Sequence, residues 1–269
     1  MYQYSEELKV YSGMRGKDLR GEGLFIAEGR FLVERVIASG VKLHSILCLT
    51  SLEDEFRNHI EQLPEELRPP IITFDRAGLE DICGFNFHRG VLAAGYRPPP
   101  LAVEKIITHA SKLVLCSDVR DPFNLGGLFR SASALGWDGV VLMDGCADPF
   151  SRASLRASMG SVLNLPWGVA DVEGNNSTSS VLKVLEADDF ILTGAVLSRP
   201  GSININEWHQ NHEEGGEMPW KIALMVGNEG SGLSEDRIAS CRELVSIPMT
   251  NRVDSLNVGV AAGILMYSL

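Results

Sequence analysis

The sequence predicts an α/β protein with two domains. Short apolar runs alternate with segments of helical spacing, which is the pattern of sheets covered by helices. A length of 269 residues suits one or two domains. The three prolines that follow Arg97 can continue neither a helix nor a central strand, so they mark a boundary. We therefore predict a domain over residues 1–97, a linker over 98–104 and a second domain over 105–269.

The first predicted domain is a small α/β unit. Its apolar runs are short and are bounded by polar or turn-forming residues, as strands are. Segments of helical spacing lie between these runs. Strands are predicted over Leu24–Ala27, Leu43–Leu49, Ile71–Phe74 and Val91–Tyr96, and helices over Phe31–Ser39 and Leu52–Ile60.

The second predicted domain repeats the alternation, which indicates a mainly parallel sheet with helices on its faces. Such sheets bind ligands beyond the carboxyl ends of their strands, so residues directly after strands are the candidates for function. The polar segment Asn206–Pro219 is predicted as a long loop. Strands are predicted over Lys112–Ser117, Gly139–Met143, Phe190–Val196, Ile222–Val226 and Leu244–Ile247, and helices over Leu125–Leu135, Arg152–Met159, Ser179–Glu186, Ser234–Ser240 and Ser255–Tyr267.

The composition predicts a globular, cytoplasmic protein. Hydrophobic residues make up 45% and charged residues 22% of the chain, and no stretch approaches the roughly 20 apolar residues of a membrane span. The net charge of -11 at first argues against a nucleic-acid partner. However, residues 171–236 hold 12 acidic and only 3 basic side chains, so the acidity is local and other surfaces can meet phosphate.

No metal site is predicted. The five cysteines are far apart, without a C-x-x-C pair, and we expect buried free thiols. His209 and His212 form an H-x-x-H in a polar stretch without other ligands, which favours a solvated loop over a metal site.

Three stretches that follow strands carry the candidate chemistry. The first contains Asn124, two glycines and Arg130, where Asn124 can cap a helix whose opening suits an anion. Alternatively, Asn124 is only a cap and Arg130 only a surface residue.

The second stretch runs from Gly227 to Leu233 and holds three glycines around Glu229. It lacks the Gly-Lys-Ser/Thr of a Walker loop, and Glu229 would repel phosphate. The G-x-G-x-x-G fingerprint of a nucleotide-dependent oxidoreductase is absent as well. A tight turn with a helix cap is the alternative interpretation.

The third stretch follows Ile247-Pro248-Met249 and contains Ser255, Leu256 and Asn257. Ser255 is predicted to cap a closing helix that is apolar on all sides. Such a helix is buried in a core or against another subunit.

Taken together and in this order, the three stretches resemble the motifs of the SpoU (TrmH) methyltransferases over roughly residues 112–269. The segment Arg156–Ser161 is similar to one that this family carries between its first and second motifs. Residues Phe25–Arg30 and His88–Val91 resemble, more loosely, the family's L30e-like substrate-binding domain.

This resemblance implies a C-terminal α/β domain with a trefoil knot (the SPOUT fold), a homodimer with its active site at the subunit interface, and S-adenosylmethionine as the methyl donor. The residues implied for the cofactor are Gly227, Ile247, Met249, Leu256 and Asn257. Those implied for catalysis are Arg130, Asn124, Ser255, Asn257 and Glu229, with Glu229 bracing the cofactor loop through backbone N–H groups. The basic residues expected to grip RNA, or alternatively to form a solvated face, are Arg15, Lys17, Arg20, Arg30 and Arg35.

The implied activity is methylation of a ribose 2'-hydroxyl in RNA, most readily ribosomal RNA because the L30e-like domain is commonest in members that act on it. Transfer RNA is the alternative substrate. A non-catalytic RNA-binding or assembly protein that keeps the fold is a second alternative, which the intact motif residues disfavour.

Overall fold

The computed structural model describes residues 6–13, 19–84, 88–170, 178–214, 221–250 and 252–269. The chain divides into two compact units. The first comprises Met1–Pro99 with Phe150–Leu163, and the second comprises Pro100–Pro149 with Asn164–Leu269. None of the helices in the described ranges has the length and apolar character needed to cross a membrane.

The helices and strands follow one another in near alternation. The helices are α1 (Glu6–Lys9), α2 (Arg30–Ala38), α3 (Glu53–Glu61), α4 (Arg76–Cys83), α5 (Val103–Thr108), α6 (Pro122–Ala134), α7 (Arg152–Ala157), α8 (Thr178–Ala187), α9 (Ile205–Glu214), α10 (Glu235–Ser240) and α11 (Val258–Ser268). The strands are β1 (Leu24–Glu28), β2 (Leu43–Leu49), β3 (Ile71–Phe74), β4 (Val91–Tyr96), β5 (Lys112–Cys116), β6 (Gly139–Leu142), β7 (Trp167–Val169), β8 (Ile191–Ala195), β9 (Ile203–Asn204), β10 (Ile222–Val226) and β11 (Glu243–Ser246).

The first unit is built on a four-stranded sheet in the order β1-β4-β2-β3. Strand β4 runs antiparallel to β1 and β2, whereas β3 is parallel to β2. The phenol of Tyr11 is buried in this unit, where it donates to the Ser45 carbonyl oxygen at 2.8 Å and accepts from the Ala94 backbone N–H at 3.0 Å. Burial raises the pKa of this phenol well above its ordinary value. The buried polar group is therefore satisfied and joins two strands to the N-terminal segment.

The second unit is built on a seven-stranded, wholly parallel sheet in the order β7-β6-β5-β10-β8-β11-β9. Strand β10 lies between β5 and β8, and β11 lies between β8 and β9, so the chain returns twice to positions between earlier strands. All five residues of β10 are buried, as expected for a strand covered on both faces. Because the strands are parallel, the turns after β5, β8, β10 and β11 meet at one edge. The predicted α/β class with a parallel sheet is confirmed.

The closing helix α11 is apolar, as predicted, but Ser255 is not its cap. The helix begins at Val258, and the Asn257 side-chain oxygen accepts from the N–H groups of Gly259 at 2.9 Å and Val260 at 3.3 Å. Ser255 is exposed, two residues before that cap. Asn and Ser are equally good capping residues, so the residue type does not distinguish Asn257 from Ser255. Asn257 is the cap because it directly precedes the first helical residue.

The predicted loop over Asn206–Pro219 is wrong for its first part, because residues 205–214 form α9. The side chain of Trp208 is fully buried, and its indole N–H donates to Glu243 at 3.0 Å. The ring of His212 lies 4.2 Å from that of Trp208, in this helix and not in a solvated loop. The side chain of His209 lies outside the described residues. Two buried side chains, those of Ile205 and Trp208, thus hold a helix whose other residues are polar.

The predicted free thiols are confirmed for all five cysteines. Burial raises the pKa of the thiols of Cys48, Cys83, Cys146 and Cys241 to about 11. Burial also raises the pKa of the Cys116 thiol. These groups are therefore protonated at neutral pH and have little nucleophilic character.

Candidate active site

The turns after β5, β10 and β11 are joined by a chain of side-chain hydrogen bonds in the second unit. The Asn257 amide donates to the Asn124 side-chain oxygen at 2.8 Å, and the Asn124 amide donates to Glu229 at 3.1 Å. These three residues come from the three separate stretches that the sequence singles out. Asn124 of the first stretch lies in the middle and bonds to Asn257 of the third and to Glu229 of the second. The parallel sheet explains this, since each residue follows a strand at the same edge.

Helix α6 carries the first stretch, and its cap is Asp121, not Asn124 as predicted. The Asp121 carboxylate accepts from the N–H groups of Phe123 at 2.7 Å and Asn124 at 3.1 Å, and Pro122 occupies the first helical position. Because Asp121 takes the capping role, the Asn124 side chain can bond to the other two stretches.

Glu229 links the second stretch to the first. Its carboxylate accepts from the backbone N–H of Asp121 at 3.0 Å, more weakly from that of Arg120 at 3.4 Å, and from the Asn124 amide. Partial burial acts to raise the pKa of the Glu229 carboxyl, but these hydrogen bonds outweigh it and hold that pKa below the ordinary 4.5. The carboxylate is therefore ionised at neutral pH and braces two turns against each other.

We expect the substitution Glu229→Gln to remove part of the pH dependence of stability. A carboxyl whose pKa is lowered by folding stabilises the folded chain above its unfolded pKa, and this contribution is lost as the pH falls through the lowered folded value. On acidification below 4.5, the wild type should therefore lose more free energy of unfolding than the variant. Urea unfolding across that pH range measures both, with Glu235→Gln as the exposed control. An equal loss in the wild type and Glu229→Gln would contradict the bracing role.

The second stretch forms a closed turn. The backbones of Asn228 and Gly232 exchange two hydrogen bonds of 3.0 Å, and the Asn228 side-chain oxygen accepts from the N–H groups of Gly230 and Ser231. A Cβ at Gly227 would lie 2.4 Å from the backbone carbonyl of Gly232. Glycine is required at position 227 because the turn folds back directly onto it.

A cavity of about 410 Å³ opens beyond β8, β10 and β11, and we call it the edge cavity. Its volume is within the range of about 300–1,000 Å³ common for small-molecule and cofactor sites. Apolar side chains from the third stretch and α11 line one side, and the Gly227–Leu233 turn lines another. The predicted residues that line it are Gly227, Glu229, Ile247, Met249, Ser255 and Leu256.

The sequence missed one wall of the edge cavity. The turn after β8 contributes Leu197, Ser198 and Arg199. Arg199 also bonds to Glu235 at 3.1 Å. The only available signal was the position of this segment directly after a strand, since it carries no glycine-rich or motif-like pattern.

Other predicted residues lie apart from the edge cavity. Asn124 and Asn257 bond to each other beside it but are not among its lining residues. Arg130 is exposed on α6, does not line the cavity, and forms no ion pair or side-chain hydrogen bond with the described part of the chain.

The basic residues predicted to grip RNA are described only in part. Arg15 and Lys17 lie outside the described residues. Arg20, Arg30 and Arg35 are exposed in the first unit. Arg30 forms two hydrogen bonds to Glu55, at 2.9 and 2.5 Å, and Arg35 donates to the backbone carbonyl of Met159. The charge of Arg30 is therefore already compensated.

Comparison with known proteins places residues 111–267 in the SpoU rRNA methylase family. The 23S rRNA (guanosine(2553)-2'-O)-methyltransferase RlmP of Bacillus subtilis is 32% identical over 91% of this chain and 88% of its own length. A protein of Mycobacterium bovis named as an uncharacterized tRNA/rRNA methyltransferase is 32% identical over 92% of this chain and 81% of its own length. The SpoU methyltransferase AviRb from Streptomyces viridochromogenes, solved in complex with the cofactor AdoMet, is 24% identical with a TM-score of 0.77 and covers 98% of this chain and 95% of its own. This likeness confirms the predicted fold class.

Proposed function

Since the chain belongs to the SpoU rRNA methylase family, we propose that it transfers a methyl group from S-adenosylmethionine to a ribose 2'-hydroxyl of ribosomal RNA. The observation that carries this proposal is the hydrogen-bonded chain Asn257–Asn124–Glu229 beside the edge cavity. The names of relatives such as RlmP support the ribose 2'-hydroxyl as acceptor and 23S rRNA as substrate. The cytoplasm is the proposed place of action.

The edge cavity fits S-adenosylmethionine in size and chemistry. Ile247, Met249 and Leu256 offer an apolar wall for the adenine ring, and backbone groups of the Gly227 turn offer hydrogen bonds to its polar edge. The ionised Glu229 adds negative potential that favours a cationic ligand. When bound, S-adenosylmethionine supplies a methyl group activated by its positively charged sulfur, so the chemistry requires no metal.

The protein's own task is to align the ribose hydroxyl and to deal with its proton. Alignment alone is worth several powers of ten in rate. We assign Arg130 to the phosphate of the target nucleotide, where its charge polarises the 2'-hydroxyl while another acceptor takes the proton, because a guanidinium stays protonated. Asn124 and Asn257 position the substrate, and Ser255 contacts an RNA phosphate.

We assign RNA binding to the first unit, in which residues 1–97 form the proposed L30e-like domain. The linker 98–104 joins this domain to the proposed catalytic domain 105–269, of which Phe150–Leu163 belongs to the first compact unit. Its α/β sheet and its exposed arginines support this assignment. The homodimer is also part of the proposal. Val260, Ile264 and Tyr267 are exposed apolar residues on α11, spaced to share one helix face. A subunit interface on this face would also explain why Arg130 does not line the cavity of its own chain.

We expect Ile264→Glu to dissociate the dimer. Ile264 is 39% exposed, so a charge there is tolerated by a monomer but is costly when buried in an interface. Val169→Glu is the matched control, because Val169 is 38% exposed in the same unit. Sedimentation equilibrium should give a dimer for the wild type and the control and a monomer for Ile264→Glu. A monomeric wild type would refute the dimer.

The test of the proposed activity is methyl transfer in vitro and in cells. Purified protein and radiolabelled S-adenosylmethionine should modify protein-free bacterial 23S rRNA at one ribose, and that mark should vanish from cells that lack the gene. Modification of bulk tRNA and not of 23S rRNA would show that transfer RNA, the alternative substrate, is the correct one. Binding of the donor without transfer to either RNA would favour the non-catalytic alternative, and absence of donor binding would overturn the proposal.

A further inference from the structure

The first unit contains a nearly buried carboxylate surrounded by three arginines. Glu28, at the end of β1, is 8% exposed and is contacted by Arg152 at 2.7 Å, Arg89 at 3.5 Å and Arg156 at 4.0 Å. The three guanidinium groups come from two distant segments of the chain. We call these four residues the Glu28 cluster.

The Glu28 cluster carries more positive charge than its carboxylate can neutralise. The single carboxylate of Glu28 is shared by three guanidinium groups, so it cannot fully neutralise those of Arg89 and Arg156. Within the described residues, Arg89 and Arg156 lie within 4 Å of no other carboxylate. Holding like charges together is unfavourable in the absence of a further anion. The arrangement is therefore suited to an anionic ligand and costly without one.

The arginines gather around Glu28 but remain accessible. The side chains of Arg89 and Arg156 are 47% and 40% exposed, so each can present unused N–H groups to solvent. The guanidinium group donates in a planar fork that matches the oxygens of a phosphate. The hydrogen bond from Arg152 to Glu28, at 2.7 Å, orders the Arg152 side chain and so reduces the entropy that this side chain loses on binding.

An aromatic side chain lies close by along the chain. The Arg89 side chain passes within 3.4 Å of where a Cβ on Gly29 would be, and Gly29 has a φ of +99° directly before α2. Phe31, two residues later in the first turn of α2, is 73% exposed. An exposed ring that follows a residue of a basic cluster closely in the chain suits the binding of an unpaired nucleotide, because charge can hold the phosphate and stacking can hold the base.

We propose that Arg89, Arg152 and Arg156 bind a backbone phosphate of the RNA substrate and that Phe31 stacks on an adjacent unpaired base. This inference rests on the proposed function, because it names the residues that would contact the RNA substrate of the methyl transfer. Arg30, one of the basic residues predicted to grip RNA, is already paired with Glu55 and is not part of this site. All the residues involved belong to that unit.

The test measures binding of protein-free bacterial 23S rRNA to the full chain at several salt concentrations. Arg89→Gln and Arg156→Gln should each raise the Kd about tenfold and should reduce the slope of log Kd against log salt by about one. Phe31→Ala should raise the Kd about tenfold with the slope unchanged, since stacking releases no counterions. The matched control is Arg57→Gln, in the same unit, where Arg57 is 51% exposed and paired with Glu53.

Titration with S-adenosylmethionine and methyl transfer by the same preparations separate this inference from the proposed function. If the variants bind the donor and bind RNA with wild-type affinity and salt slope, the Glu28 cluster is not a phosphate site although the enzyme stands. An equal effect of Arg57→Gln would likewise overturn the assignment, because it would show a general charge effect. If the wild type neither binds the donor nor modifies RNA, the proposed function itself fails.

Discussion

Replacing Arg130 by alanine should lower the rate of methyl transfer at least about 100-fold and leave the Kd for S-adenosylmethionine unchanged. Arg130 does not line the edge cavity, so its removal takes nothing from the surface that binds the donor. It is exposed and forms no ion pair with the described residues, so its loss should leave the fold intact. A charge that is neither buried nor compensated is available for the RNA.

Single-turnover rates and calorimetric titration measure the two effects separately. Arg242→Ala is the control, since Arg242 is another exposed arginine of the second unit. Arg130→Lys keeps the charge but loses the planar fork, so a rate between those of wild type and alanine would indicate that geometry matters as well as charge. A wild-type rate in Arg130→Ala would exclude any catalytic role for this residue.

The sequence was most informative where function follows strand ends. The position after strands predicts that the three stretches share one edge of the sheet, and the family resemblance implies Gly227, Ile247 and Leu256 as cofactor contacts within them. All three line the edge cavity. Because the strands are parallel, segments that follow different strands in the sequence lie at the same edge of the sheet. Short continuous apolar runs are enough to predict these strands, because parallel strands buried on both faces are apolar along their whole length.

Contacts between distant side chains could not be derived in this way. The bond between Asn257 and Asn124 spans 133 positions. From the sequence, Asn124 is predicted to cap the helix after β5 and Ser255 to cap the closing helix, but Asp121 and Asn257 are the caps. The choice depends on where each helix begins, within two or three residues, and sequence patterns do not define helix ends so finely. The Glu28 cluster could not be predicted from the sequence either, because its arginines come from two segments that are distant along the chain.

Helix α9 shows a different limit. Its polar residues are typical of a loop, and two buried residues, Ile205 and Trp208, supply the burial that stabilises the helix. Part of this stabilisation comes from the hydrogen bond between Trp208 and Glu243 on β11. Such a tertiary contact cannot be predicted from local helix propensity. Isolated aromatic residues in polar segments are the one signal that could have indicated it.

Gly227→Ala should weaken binding of S-adenosylmethionine at least about 100-fold, equivalent to about 2.7 kcal/mol. The added Cβ would lie 2.4 Å from the carbonyl carbon and oxygen of Gly232 and 2.5 Å from the backbone nitrogen of Leu233. These are main-chain atoms, so the clash cannot be relieved by rotating a side chain. The turn must open, and the hydrogen bonds between Asn228 and Gly232 must break.

Gly230→Ala is the matched control from the same turn. A Cβ at that position would meet only the Asn228 side-chain oxygen, at 3.5 Å, which is an ordinary van der Waals contact. Calorimetric titration should therefore give a near wild-type Kd for Gly230→Ala and a greatly raised Kd for Gly227→Ala, while thermal unfolding verifies that both variants are folded at the titration temperature. If a folded Gly227→Ala bound the donor with wild-type affinity, the donor would not contact this turn, and the edge cavity would lose its proposed role. The comparison is informative because the two substitutions add the same methyl group three residues apart, so only the backbone facing each position differs.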